Sequence, residues 1–248
     1  MKKLISVILS VILAFTMVSC SNNSGVSSDV NTETNTNLTV NEIEQTCIQM
    51  KEAMKPEALM RLIQVCNPKK AIVFCNTKKR VDDLIENLKH NNYKAEALHG
   101  DIKQAQRERI MKRMRNGEFQ ILVATDVVAR GIDIQDLELV INYDIPQELE
   151  YYVHRIGRTG RNGKDGIAYT FYTGKEKLKL REIEKYANTK IKPGKIPTLK
   201  EVDAVKSRKI VDRIEEIIKK QEFKKEDKNV HQKFYKFSKI IIGKNYQG

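Results

Sequence analysis

Short, continuous apolar runs constrain this chain most. Residues 71–75 read Ala-Ile-Val-Phe-Cys, Ile121–Ala124 read Ile-Leu-Val-Ala, and 139–143 read Leu-Val-Ile-Asn-Tyr. A strand with water on one face alternates polar and apolar residues, so a run without alternation needs apolar neighbours on both faces. Between the runs the spacing becomes helical. Val81, Leu84, Ile85 and Leu88 mark one helix, and Gln104–Arg115 another, stopped by Asn116-Gly117. Upstream, Pro56 stands where a helix begins; Leu59, Leu62, Ile63 and Cys66 share a face, and Asn67-Pro68 ends it. Strands are also expected at 93–98 and 167–172, and helices at 148–155 and 175–187. Repeated strand–helix units predict an α/β fold with a mostly parallel sheet flanked by helices and joined by right-handed crossovers. Such sheets bind ligands beyond the carboxyl ends of their strands, so function belongs in the loops after residues 75, 98, 124 and 143.

The 248 residues allow one or two domains, and 40% hydrophobic with 31% charged residues excludes a multi-span membrane protein or a wholly disordered chain. Four cysteines without a C-x-x-C pair argue against a zinc site or a disulfide scaffold. Of the net charge of +13, +11 falls in the last 75 residues. That excess can draw an anionic polymer such as RNA, although a solvated helix face with a basic tail accounts for it equally well.

The N-terminus has a different character. Lys2 and Lys3 precede an apolar run from Leu4 to Val18, followed by Ser19 and Cys20, which predicts an export signal over 1–20. Met17-Val18-Ser19-Cys20 resembles a bacterial lipoprotein lipobox, in which Cys20 becomes the lipidated residue and a membrane anchor. A buried helix or a simple anchor is the plainer alternative. Residues 21–37, mostly Ser, Asn and Thr, read as a flexible tether. A domain is expected over 38–195 and a basic helical extension with a tail over 196–248. In that extension Val202, Val205, Ile210, Ile214, Ile217 and Ile218 form an apolar stripe.

Two segments carry chemistry. His154-Arg155-Ile156-Gly157-Arg158-Thr159-Gly160-Arg161 sets arginines three apart among glycines, a pattern suited to bidentate phosphate recognition. A structural salt-bridge cluster is the competing reading. Ala124-Thr125-Asp126-Val127-Val128-Ala129-Arg130-Gly131-Ile132-Asp133 follows a buried run and offers a hydroxyl, two carboxylates and an arginine; Asp126 is equally able to cap the next turn.

Together with Ile72-Val73-Phe74-Cys75-Asn76-Thr77, with His99-Gly100-Asp101 followed by Gln106-Arg107-Glu108-Arg109, and with Val140-Ile141-Asn142-Tyr143-Asp144-Ile145-Pro146, these segments stand in family order. The stretch from about residue 38 to about 205 thereby resembles the second RecA-like domain of bacterial DEAD-box ATP-dependent RNA helicases. The resemblance implies a single RecA-like domain. It also implies arginine fingers at Arg158 and Arg161, His154 coupling the nucleotide site to the other domain, and Asp133 and Gly131 at the nucleotide. Thr77, Gly100, Arg109, Thr125, Arg130 and Gly131 would face the RNA backbone, making binding largely indifferent to base sequence. The implied cofactor is ATP with Mg, shared with a first RecA-like domain.

That first domain's signatures are missing from the sequence. No G-x-x-x-x-G-K-[ST] occurs, since Gly163-Lys164 is followed by Asp165, and no Asp-Glu-Ala-Asp is present. The expectation is weak RNA binding and no ATP turnover by the chain alone. The rival readings are a non-catalytic RNA-binding or interfering module, and a lipid-anchored surface protein with a vestigial helicase domain. The domain resemblance implies a cytoplasmic location, whereas the lipobox implies an extracytoplasmic one.

Overall fold

The computed structural model describes residues 43–129, 137–160 and 166–220. Seven strands form one sheet: β1 (Ile43–Gln49), β2 (Ala71–Phe74), β3 (Ala95–Leu98), β4 (Ile121–Ala124), β5 (Leu139–Asn142), β6 (Gly166–Tyr172) and β7 (Lys192–Pro193). Their order is β3-β4-β2-β5-β6-β1-β7, and every pairing is parallel. The helices are α1 (Lys55–Cys66), α2 (Lys78–His90), α3 (Gln104–Arg115), the short α4 (Asp126–Ala129), α5 (Leu149–Ile156), α6 (Lys177–Tyr186) and α7 (Leu199–Lys220).

Both faces of the sheet are covered, which is why its central strands are apolar throughout. Ala71, Val73, Ile121, Val123, Leu139 and Ile141 point to the side where Leu59, Leu62, Ile63, Val81, Leu84 and Leu88 of α1 and α2 pack. Their sequence neighbours Ile72, Phe74, Leu122, Ala124 and Val140 point to the other side. There they meet Ile110 and Met114 of α3, Tyr152 and Ile156 of α5, and Ile183 of α6. Alternation persists, but it sorts residues between two cores rather than between core and water. Asn67 ends α1 in the left-handed conformation (φ 45°), and Gly117 turns the chain after α3 (φ 73°).

β1 and β7 had no counterpart in the sequence reading. β1 contains Gln45, a polar residue that the fold buries, its amide oxygen accepting from the Tyr152 hydroxyl at 2.9 Å. Its partner β6 lies more than 110 residues further along the chain. The apolar stripe assigned to the extension also needs correction. Among the described side chains of α7, Val202 and Val211 are the buried ones, while Ile210 is 60% exposed and Ile217 is exposed too. The start of that extension belongs to the domain body: α7 packs on α1, and Arg61 of α1 donates to the Pro197 carbonyl at 3.1 Å.

β2 and β5 are neighbours, yet β2 leads into α2 on one face and β5 into α5 on the other. The topological switch point therefore lies between the loops after Phe74 and Asn142.

Candidate functional site

At the switch point the protein inserts its own cation. Tyr152, Arg155 and Ile156 form the inward stripe of α5, and the Arg155 side chain, 1% exposed, reaches between the strand ends. Its guanidinium grips the Asp126 carboxylate through both oxygens, Nε to Oδ1 at 2.6 Å and Nη2 to Oδ2 at 2.7 Å. Nη1 donates to the Asp144 carbonyl (2.7 Å) and Asn142 Oδ1 (3.3 Å), and Nη2 also donates to Asn76 Oδ1 (2.9 Å). The Phe74 ring lies against the cation, 5.2 Å from centroid to Cζ. A buried guanidinium is tolerable only with such a set of acceptors. One side chain thus ties the carboxyl ends of β2, β4 and β5 to α5.

A second cluster adjoins it through Asp144. The Asp144 carboxylate accepts from the Asn76 backbone N–H (3.1 Å) and lies 3.3 Å from both Lys55 Nζ and Arg80 Nη1. Glu52, in a 3-10 turn (Glu52–Met54), meets Lys55 at 2.9 Å and Arg80 at 2.5 Å. Both cations lie over the Tyr143 ring. Burial pushes the Glu52 carboxyl upward, but Lys55 and Arg80 outweigh it and hold it below the usual value. Burial likewise pushes the Cys75 thiol and the Tyr143 hydroxyl well up, so neither ionises near neutrality.

The residues assigned to RNA divide by environment. Thr77 is exposed and caps α2, its Oγ1 accepting from the Arg80 N–H at 3.2 Å. Gly100 is exposed, with open space where a Cβ would stand. Its loop is held by Arg107, which donates to the Gly100 carbonyl (3.0 Å) and the Ile102 carbonyl (2.8 Å), and by a Lys78–Asp101 ion pair at 2.8 Å. Arg109 is exposed on α3. Thr125, by contrast, is only 7% exposed, its N–H donating to the Leu98 carbonyl at 3.2 Å. Thr77, Gly100 and Thr125 share the rim formed by the carboxyl ends of β2, β3 and β4.

The arginine turn sits elsewhere. α5 starts beyond β5 and runs back, so the turn after it reaches the level of Leu137, ahead of β5. The Arg158 N–H donates to the Arg155 carbonyl (3.2 Å), and Thr159 Oγ1 to the Leu137 carbonyl (2.5 Å). Gly160 (φ 70°) then meets Gly166 so closely that a Cβ on Gly166 would come within 2.5 Å of the Gly160 nitrogen. His154 is half-buried, its Nδ1 4.0 Å from Glu150 Oε1. Arg130, Gly131, Asp133 and Arg161 lie outside the described residues, as do Cys20, the signal-like segment and the tether. Among the described residues no group of three or more His, Cys, Asp or Glu is placed to hold a metal, and no helix is long and apolar enough to cross a membrane.

The salt-bridge reading of the 154–161 segment thus holds at Arg155. Arg158, half-buried, stands in the turn that follows α5. The 152, 155, 156 spacing signals an inward Arg155, whereas nothing local marks Asn142 or Lys55 as parts of the network.

The family model "Helicase conserved C-terminal domain" matches residues 54–163. The DEAD-box ATP-dependent RNA helicase CshA of Bacillus licheniformis is 46% identical over 181 residues, covering 73% of this chain and 37% of that protein. The chain thus spans little more than a third of the length of the curated relatives it matches. The C-terminal domain of the DEAD-box protein Dbp5 superposes with a TM-score of 0.61 at 34% identity, over 67% of this chain and 98% of that domain. Saccharomyces cerevisiae Dbp5 bound to RNA and ADP BeF3 gives 0.62 at 33% identity, over 69% of this chain and 46% of that one. A parallel α/β sheet with five motifs in order, matched over nearly all of a solved helicase domain, establishes that the chain belongs to the DEAD-box helicase family through its C-terminal helicase domain.

Proposed function

We propose that this chain supplies the second RecA-like half of an ATP-dependent RNA helicase. It binds the RNA sugar–phosphate backbone along the rim that carries Thr77, Gly100 and Thr125, with Arg109, Arg130 and Gly131 as further RNA-binding residues. It presents Arg158 and Arg161, with His154, Gly131 and Asp133, to a nucleotide shared with a first RecA-like domain. The observation that carries the reading is the Arg155 hub. It fixes the end of the RNA rim and the base of the arginine turn to one buried cation, so neither edge shifts without the other. ATP with Mg supplies the phosphoryl chemistry; this chain's part is to place guanidinium groups on the developing charge. An arginine finger is worth about 10³–10⁵ in rate once metal and P-loop have positioned the phosphates. The domain alone therefore turns over no ATP.

The test is RNA-stimulated ATP hydrolysis with a separately expressed first RecA-like domain. Activity that appears on mixing and falls to background with Arg158→Ala/Arg161→Ala supports the reading. Continued silence on mixing, with RNA still bound, converts it into that of a non-catalytic RNA-binding module. RNA and ATP chemistry would suit a cytoplasmic domain, whereas the segment over 1–20 proposes lipidation at Cys20. Palmitate labelling of wild-type and Cys20→Ala chains in cells decides between the two.

A further inference from the structure

The opposite end of the same three strands holds a cavity that the helicase reading leaves unused. It has a volume of about 550 Å³ and lies where β2, β3 and β4 begin, some four residues, or roughly 13 Å, from the RNA rim. Lys69, Lys70, Lys94 and Arg115 line it, and no carboxylate does. None of these four side chains has an ion-pair partner among the described residues, whereas Lys55, Arg61, Lys78, Arg80, Arg113 and Arg155 all do. Of the nearby acids, Glu138 is taken by the Lys69 backbone N–H at 2.6 Å rather than by an ammonium, and Glu118 pairs with Arg113 at 3.0 Å.

The walls are built, not merely charged. The Lys94 carbonyl accepts from the Gln120 and Ile121 N–H groups (3.2 and 3.3 Å), and the Gln120 side chain bonds the Pro68 carbonyl. Asn92 (φ 62°) and Gly117 (φ 73°) make the turns that open the space. Tyr93 is fixed by its hydroxyl, which accepts from Gln64 at 2.5 Å, and with Phe119 it gives the cavity an apolar wall. Like charges brought together without counter-charges repel, and they are relieved by an anion carrying several negative groups.

We propose that this cavity binds a ligand bearing consecutive phosphate groups. The chemistry is the same whether the phosphates come from a strand of RNA leaving the rim or from a free polyphosphate. The site stands apart from the proposed helicase function, since none of the residues assigned to nucleotide or RNA lines it.

The test titrates the full chain with sodium tripolyphosphate at low ionic strength by calorimetry. The variant Lys69→Glu/Lys94→Glu/Arg115→Glu is compared with a charge-matched one, Lys51→Glu/Lys175→Glu/Lys185→Glu, whose sites are exposed and are not among the residues that line the cavity. The expected result is affinity weakened about tenfold or more by the cavity variant and little changed by the matched one. Equal weakening by both, no weakening by either, or no binding at all overturns the proposal. A short oligouridylate then identifies the source. If the plot of log affinity against log salt is shallower by about 2 in the cavity variant, as three lost single-strand phosphate contacts require, the phosphates are those of RNA. An unchanged slope assigns the cavity to a free polyphosphate.

Discussion

The two ends of β2, β3 and β4 handle positive charge in opposite ways. Around the carboxyl ends, Arg155, Lys55 and Arg80 are locked among Asp126, Asp144, Glu52 and two asparagine amides. At the amino ends, Lys69, Lys70, Lys94 and Arg115 surround empty space with no carboxylate in the wall. A cation whose donors are all taken by the protein fixes geometry and has little left for a ligand. A cation kept from such partners contributes little to folding and remains available to an anion. Charge count alone cannot separate the two, because both ends are basic.

The largest expected effect falls on the locked end. Arg155→Ala leaves Asp126 and two amides without their partner and should cost about 3–5 kcal/mol of stability, measured by urea unfolding. Arg155→Met combined with Asp126→Asn should recover part of that loss, since no unpaired charge then remains; an Arg155→Ala chain as stable as wild type would remove the hub from the account. A smaller effect is expected in acid. The Glu52 carboxyl is held below its usual value, so its contribution is complete above the ordinary carboxylate range and is lost as pH falls through the lowered value. Melting temperature should therefore drop more steeply below about pH 4.3 in the wild type than in Glu52→Gln. Salt sharpens the contrast: with a screening length of about 3 Å at 1 M, potassium chloride should abolish tripolyphosphate binding while scarcely moving the melting temperature. The smallest effect belongs to Lys69→Ala/Lys94→Ala, whose melting should match wild type because neither side chain has an ion-pair partner to lose among the described residues. A clear drop would show that the amino end is structural after all.

Much of this was legible beforehand, and the exceptions share a cause. α3 spans Gln104–Arg115 and β4 spans Ile121–Ala124, as their periodicity requires, because both are specified by local apolar spacing. β1 was hidden because its buried Gln45 breaks the apolar pattern and finds partners in Tyr152 and Thr189, 107 and 144 positions away. The candidate site shows the same limit. Its motifs marked the segments that converge, but which arginine of the 154–161 segment turns inward depends on Asn76, Asp126 and Asp144 meeting from three separate loops. Lys55, which has no motif around it, becomes a buried ammonium because Asp144, 89 positions away, joins its neighbour Glu52 in pairing with it. Ile210 and Val211 exchange their expected burial because α7 is oriented by α1 rather than by its own hydrophobic stripe.

The close approach of Gly160 and Gly166 gives the arginine turn an unusual vulnerability. A single methyl group added at position 166 has nowhere to go except into the backbone of its neighbour, and Thr159 beside it is already pinned to Leu137. The displaced chain then swings the guanidinium two residues upstream of Gly160. The placement of Arg158 thus rests on a spot where the protein can tolerate no carbon atom, at a glycine further along the chain.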